Sequence, residues 1–312
     1  MTESSVSAGR ATATPRRAAR TKPRRAGSPN RVGWIFVAPF LIVFLLVLVA
    51  PVVYSIYLSL FQQQLIGGNR FVWFANYLTA FTDSKFWDGL GHVSLFLVVQ
   101  VPIMLFLSLV LALAIDSARL FVAPFFRIAV FLPYAVPAVV AALMWGFMYG
   151  TQFGLVGNLD DLFHIQLPSP LSGSWVLAAI GNINTWEFVG YNMLIFYSSL
   201  RTISTDLYEA ADLDGASHFR IIRNIKLPAI RGAIVIATIF SIIGSFQLFN
   251  EPNILKPLAP NAISTYFTPN MYAYNLAFSG QQFNYSAAIA IIMGVITAVI
   301  AYVVQTRGSR ES

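Results

Sequence analysis

Five long stretches of this chain contain no charged residue: 34–60, 93–115, 128–149, 232–249 and 285–304. A hydrocarbon core of about 30 Å is crossed by roughly 20 helical residues, so each stretch is long enough to span a bilayer. A sixth, 175–200, is apolar except for Glu187, an ionisable group that marks either a functional position or a solvated one inside a span. Buried helices of a soluble protein are the competing reading. It fails on composition: with 57% hydrophobic and only 11% charged residues, too little polar sequence remains to cover a soluble surface. The expected class is an all-α polytopic membrane protein of about six transmembrane helices, with the lipid bilayer as its solvent.

Orientation follows from the basic residues, which are retained on the cytoplasmic side during insertion. With an inside N-terminus, the inside segments 1–33, 116–127, 201–231 and 305–312 hold 8, 2, 5 and 2 basic residues, 17 in all. Only Arg70, Lys85 and Lys256 fall outside. Both termini are therefore expected inside. Residues 1–33 combine Arg16, Arg17, Arg20, Lys22, Arg24 and Arg25 with Ala, Ser, Thr and Pro, and read as a disordered, solvated cytoplasmic tail, for which attraction to anionic lipid is a simpler account than a twin-arginine signal; no nucleic-acid partner is expected. The 27-residue apolar run that follows exceeds the core of a cleaved signal peptide, so it reads as the first span. The membrane domain is then 34–304, and 305–312 is a short inside tail.

The chain has no Cys, which removes disulfides and thiolate chemistry. His92, His164 and His218 lie far apart with no accompanying carboxylate cluster, so neither a metal nor any other cofactor is expected. Nothing repeats at a period of 20 to 50 residues. The aromatic series Phe71, Trp73, Phe74, Tyr77, Phe81, Phe86, Trp87 suits an interfacial belt. Outside acids Asp83, Asp88, Asp160, Asp161 and Glu251 read as solvated charges that could also meet a partner.

The inside segment 201–231 has a different character. It opens with Asp206, Glu209, Asp212 and Asp214 and closes with Arg220, Arg223 and Lys226, the order a helix dipole favours. Asp206 is the expected cap of a first short helix, with Glu209 as its capping-box partner. Gly215 permits a bend into a second helix, and Pro228 marks the next span.

This loop strongly resembles the signature of ABC importer permeases: Glu-Ala-Ala, then Asp-Gly-Ala, then Ile-x-Leu-Pro. Here these are Glu209-Ala210-Ala211, Asp214-Gly215-Ala216 and Ile225-Lys226-Leu227-Pro228, nine matches over twenty residues. Phe219 and Ile222 fall where the family has Trp and Phe. Around the loop, Asn76-Tyr77, Phe81, Asp83 and Phe86-Trp87, then Leu132-Pro133, Trp145, Trp186 and Leu200, resemble the carbohydrate-uptake branch. Where the family often has Gly-Gly-Pro after the fifth span, this chain has Leu258-Ala259-Pro260.

The resemblance implies a permease subunit that is not itself an enzyme. A second related permease would complete the pathway, a cytoplasmic ABC ATPase dimer would dock on 209–228, and an extracytoplasmic binding protein would deliver a sugar, expected to be a di- or oligosaccharide. The four lysines follow Thr21, Ser84, Ile225 and Leu255, so no Gly-Lys-Ser/Thr phosphate loop exists and the ATPase must be a separate chain. An ion-coupled secondary transporter is the alternative. It would call for several intramembrane charges or two related halves, and only Glu187 is available.

For the sugar path, Asn184, Glu187 and Tyr191 recur at helical spacing and share one face, beside Trp186. Gln247, Asn250 and Glu251 repeat that spacing at the outer end of the fifth span, where Phe246 and Phe249 could flank a sugar ring. Glu187 either lines a wet cavity or pairs with a neighbouring helix.

Overall fold

The computed structural model describes residues 31–64, 67–117, 122–152, 154–164 and 167–310. The basic tail expected over 1–33 lies, up to residue 30, outside the described residues. Two units separate, Met1–Pro51 and Val52–Ser312. In the first, helix α1 (Arg31–Phe44) runs into a π-helical stretch at Leu45–Val49. Helix α2 (Ala50–Ser59) follows, and Trp34–Ser59 reads as a span. None of its most apolar window is buried inside the protein, so its hydrophobicity is left for lipid or another chain to cover.

The second unit holds almost all of the packing. A short antiparallel hairpin, β1 (Phe61–Gln64) and β2 (Gly68–Phe71), precedes the outer helix α3 (Ala75–Thr82). The 33-residue α4 (Ser84–Asp116) starts on an Asp83 cap and is the longest span. Next come α5 (Ala123–Phe131), a 3-10 turn at Leu132–Ala135, α6 (Ala138–Met148) and the outer helix α7 (Leu155–Phe163). Helix α8 (Val176–Leu200) then leads into α9 (Thr205–Leu213), α10 (His218–Ile221), a π-helical turn at Ile222–Lys226 and the single turn α11 (Leu227–Ala229). Helices α12 (Arg231–Phe246), α13 (Asn250–Leu255), α14 (Pro269–Phe278) and α15 (Phe283–Arg310) complete the chain, with residues 305–310 continuing the last helix.

Among the described residues, four helices are long and apolar enough to cross a membrane: Trp34–Ser59, Ser84–Asp116, Arg231–Leu255 and Phe283–Gly308. The span expected over 128–149 falls in two pieces, Ala123–Ala135 and Ala138–Met148, bent by 96°. Pro133 and Pro137 explain the break, since each removes a backbone donor and crowds the preceding turn. Helix α8 is long enough but too polar to count by composition alone. It is buried on most of its sides by α4, α5, α6 and α12, so protein rather than lipid surrounds its amides.

Three apolar clusters hold the unit together. One gathers Phe96, Ile180, Ile183, Leu255 and Ile263; a second, Phe86, Val93, Phe246, Ile289 and Met293; a third, Ala112, Met193, Phe196, Leu200 and Ile230. Outside them, Leu95, Val98, Ile103 and Phe106 of α4 stay exposed, the inverse of a soluble surface and suited to lipid.

Candidate functional site

The loop over 201–231 begins at a cap. Ser204, not Asp206, caps α9: its hydroxyl accepts from the Asp206 N–H at 3.3 Å. Asp206 sits inside the first turn, which removes the capping-box role expected for Glu209. Helix α9 ends on a Schellman motif. Gly215 has φ +69°, its N–H donates to the Asp212 carbonyl at 3.1 Å, and the Ala216 N–H donates to the Ala211 carbonyl at 2.9 Å. The chain bends there, and Ser217 caps the second short helix.

Glu209, Ala210, Asp214 and Gly215 are exposed, Ala211 and Ala216 half-buried. Ile225 and Leu227 are half-buried at the loop's root, and Pro228 is exposed. Leu213 and Phe219 project their side chains at 90% and 71% exposure, with Leu207 beside them at 52%. Such apolar tips on a charged loop suit a protein partner. Below them Lys226 Nζ meets Asp116 Oδ2 at 2.6 Å, both side chains largely buried. Lys226 also lies over the Tyr208 ring at 5.4 Å. Burial, then the nearby Asp116 charge, pushes the Tyr208 phenol up, and its buried hydroxyl has no partner among the described residues.

A cavity of about 400 Å³ opens between α4, α6, α8 and the α12–α13 junction, within the size range of ligand pockets. Its lining includes Asn184, Tyr191, Gln247, Phe249 and Asn250, joined by Gln100, Tyr134, Phe188, Asn192 and Glu251. Phe246 does not line it. That ring is 4% exposed inside the second apolar cluster. Trp186 packs against the first cluster with its ring 5.9 Å from Trp145. Glu187 is 4% exposed and is not among the lining residues, and its Oε2 has no hydrogen-bond partner among the described residues.

The broken helices shape this cavity. At the bend, Tyr134 stacks on Tyr191 at 4.8 Å and meets Phe188 edge-on at 5.8 Å. Gly190 lets α8 approach the α5 backbone, since a Cβ there would meet the Val130 carbonyl oxygen and the Phe131 Cα. Across the gap between α12 and α13, freed carbonyls find partners: Asn270 Nδ2 donates to Phe246 O and Thr268 Oγ1 to Leu248 O, each at 2.9 Å.

On the opposite wall Gln100 Nε2 donates to Asn184 Oδ1 at 2.9 Å and to Thr185 Oγ1 at 3.3 Å, while Gln100 Oε1 is buried without a partner. Gln100 was legible as the one amide in the 93–115 run. Tyr134, between two prolines, carried no comparable sign.

Two outside acids are not free surface charges. Glu251 is 6% exposed. Asp83 accepts from the Tyr272 and Tyr285 hydroxyls at 2.5 and 2.7 Å and from the Lys85 N–H at 3.0 Å, tying the start of α4 to α14 and α15. Burial raises the Asp83 carboxyl, but these hydrogen bonds outweigh it and hold the group below its ordinary range.

Residues 77–307 match the sequence profile of the family described as binding-protein-dependent transport system inner membrane component. The lactose transport system permease protein LacF of Rhizobium radiobacter is 30% identical over 287 residues, which cover 89% of this chain and 94% of that protein. The sulfoquinovosyl glycerol transport system permease protein SmoG of Agrobacterium fabrum is 31% identical over 280 residues, covering 88% and 90%. Among solved structures, a bacterial ABC transporter involved in the import of the acidic polysaccharide alginate superposes with a TM-score of 0.80 at 21% identity, over 90% of this chain and 96% of that one.

Proposed function

The chain belongs to the family of inner membrane components of binding-protein-dependent transport systems, and from that premise we propose that it is one permease subunit of an ABC importer for a sugar. A second, related permease completes the pathway, a separate ATPase dimer docks on the 201–231 loop, and an extracytoplasmic binding protein delivers the cargo. Relatives that carry lactose or products of starch degradation in their names support a sugar of two or more units. The basic-residue distribution supports N- and C-termini in the cytoplasm.

One observation carries the coupling part of this reading. The loop is a helix, a Schellman bend and a second short helix that presents Glu209, Leu213 and Phe219 to solvent while Lys226 ties its root to α4 through Asp116. A docking surface that moves must be tied to the spans to transmit force, and the hydrogen-bonded bend and the Lys226–Asp116 pair supply such a tie. The cavity supplies amides, a carboxyl and aromatic faces, the groups that meet sugar hydroxyls and ring faces.

The test is ATPase activity in the purified complex. It should rise when the sugar-loaded binding protein is added, and Leu213→Asp with Glu209→Lys should lower that stimulation. Wild-type stimulation in the double variant would remove the loop from the mechanism. Single cysteines at Ser204, Ser84 and Ser279, in a chain with no other Cys, check the orientation: Ser204 should label only from the inside, the other two only from the outside.

A further inference from the structure

The cavity's charge is one-sided. Glu251 lines it, and Glu187 is 4% exposed on α8, three residues from the lining Asn184. Among the described residues that line the cavity none is Lys, Arg or His, so nothing on this wall offsets the acids. Among the described residues Glu187 Oε2 and Gln100 Oε1 are buried acceptors without partners, in side chains 4% and 6% exposed, and Gln100 is itself a lining residue. An unmet buried acceptor is costly, and a ligand that donates a hydrogen bond relieves it.

We propose that this half of the pathway selects sugars that carry no negative charge, taking hydroxyl or ammonium donors on Gln100 and Glu251 and rejecting carboxylated or sulfonated sugars. The proposal rests on the reading of the chain as half of a sugar path and names the class of cargo that path accepts. The argument is one of electrostatics at close range. In a site shielded from bulk water, one negative charge on Glu251 is enough to weaken an anionic ligand by tenfold or more. Hydroxyl donors meet the same wall as a set of acceptors. The fold therefore sets no cargo charge: a neighbour of the same architecture serves an acidic polysaccharide, and the sign is decided by the side chains each chain puts on the cavity wall.

The experiment uses the purified complex of this chain with its partner permease and ATPase, without binding protein, in lipid nanodiscs. Equilibrium binding of three probes of equal length is compared: cellotriose, a glucosamine trisaccharide and trigalacturonate. Cellotriose and the aminated probe should bind at least tenfold more tightly than trigalacturonate. Glu251→Gln should narrow that gap, and Glu251→Lys should reverse it. Should Glu251→Lys fail to assemble, Asn250→Lys places the cation on the same wall and should also favour trigalacturonate. Equal binding of cellotriose and trigalacturonate to the wild-type complex, or an order unchanged by either lysine variant, overturns the proposal. If no probe binds while loaded binding protein still stimulates the ATPase, the charge selection is wrong and the importer reading stands; if neither occurs, both are wrong.

Discussion

The Asp116–Lys226 pair is the most quantitative handle on how the cytoplasmic loop is fixed to the spans. At 2.6 Å and an effective dielectric of about 20, the attraction is about 6 kcal/mol. Much of it is offset by the desolvation of two side chains that are 7% and 14% exposed. Breaking such a pair from one side strands a buried charge, and the expected loss for Asp116→Asn or Lys226→Met alone is about 3–5 kcal/mol. Removing both charges together should cost far less, because no charge is then left unpaired. The assay is a double-mutant cycle on detergent-induced unfolding of the assembled complex, with ATPase stimulation by loaded binding protein read in parallel. A coupling energy of about 2 kcal/mol or more is expected, with stimulation lost in the single variants and partly recovered in the double. A coupling under about 0.5 kcal/mol would refute the reasoning and reduce the contact to a surface pair.

Gly190→Ala should lower the unfolding midpoint, at about 1–3 kcal/mol, because the new Cβ meets the Val130 carbonyl and the Phe131 Cα; Gly294→Ala, with nothing within 4 Å, should not. Gly215→Ala should cost about 1 kcal/mol from its φ of +69° alone, since its Cβ meets nothing, and faster amide exchange at Ala216 would report the loosened bend. Asp83 makes the pH prediction. Its folded carboxyl lies below the ordinary 3.8, so it contributes stability above that pH which is lost as the pH falls through the folded value. The gap in unfolding midpoint between wild type and Asp83→Asn should be level near neutrality and close at acid pH; a gap that stays constant down to full protonation would sink the assignment.

The spans were legible because bilayer thickness imposes run length on side chains, and the importer family was legible because 209–228 keeps its signature residues in register. The 96° break was not read, although Pro133 and Pro137 were in plain view. Hydropathy counts side chains, and an apolar run looks the same whether its backbone is straight or folded. The polar face of α8 was read from spacing, but spacing alone could not say that Tyr191 would line the cavity and Glu187 would not; that depends on which helices pack beside α8. Asp83 was misread as a solvated charge since its tyrosine partners lie 189 and 202 residues away. Ser204 took the cap expected of Asp206 because α9 already starts at Thr205, two residues before the position that the acidic run suggests.

The bent segment also constrains how the protein is made. Eleven residues of α6 extend about 16 Å, half of a 30 Å core, and α5 with its 3-10 turn is little longer. Neither arm can settle across the bilayer unaided. The surfaces that hold the bend are Tyr191, Phe188 and the notch at Gly190, all on α8, and α8 leaves the ribosome later than both arms. The growing chain therefore carries an unfinished crossing until α8 is synthesised, and its insertion machinery must shelter two half-length helices through that interval.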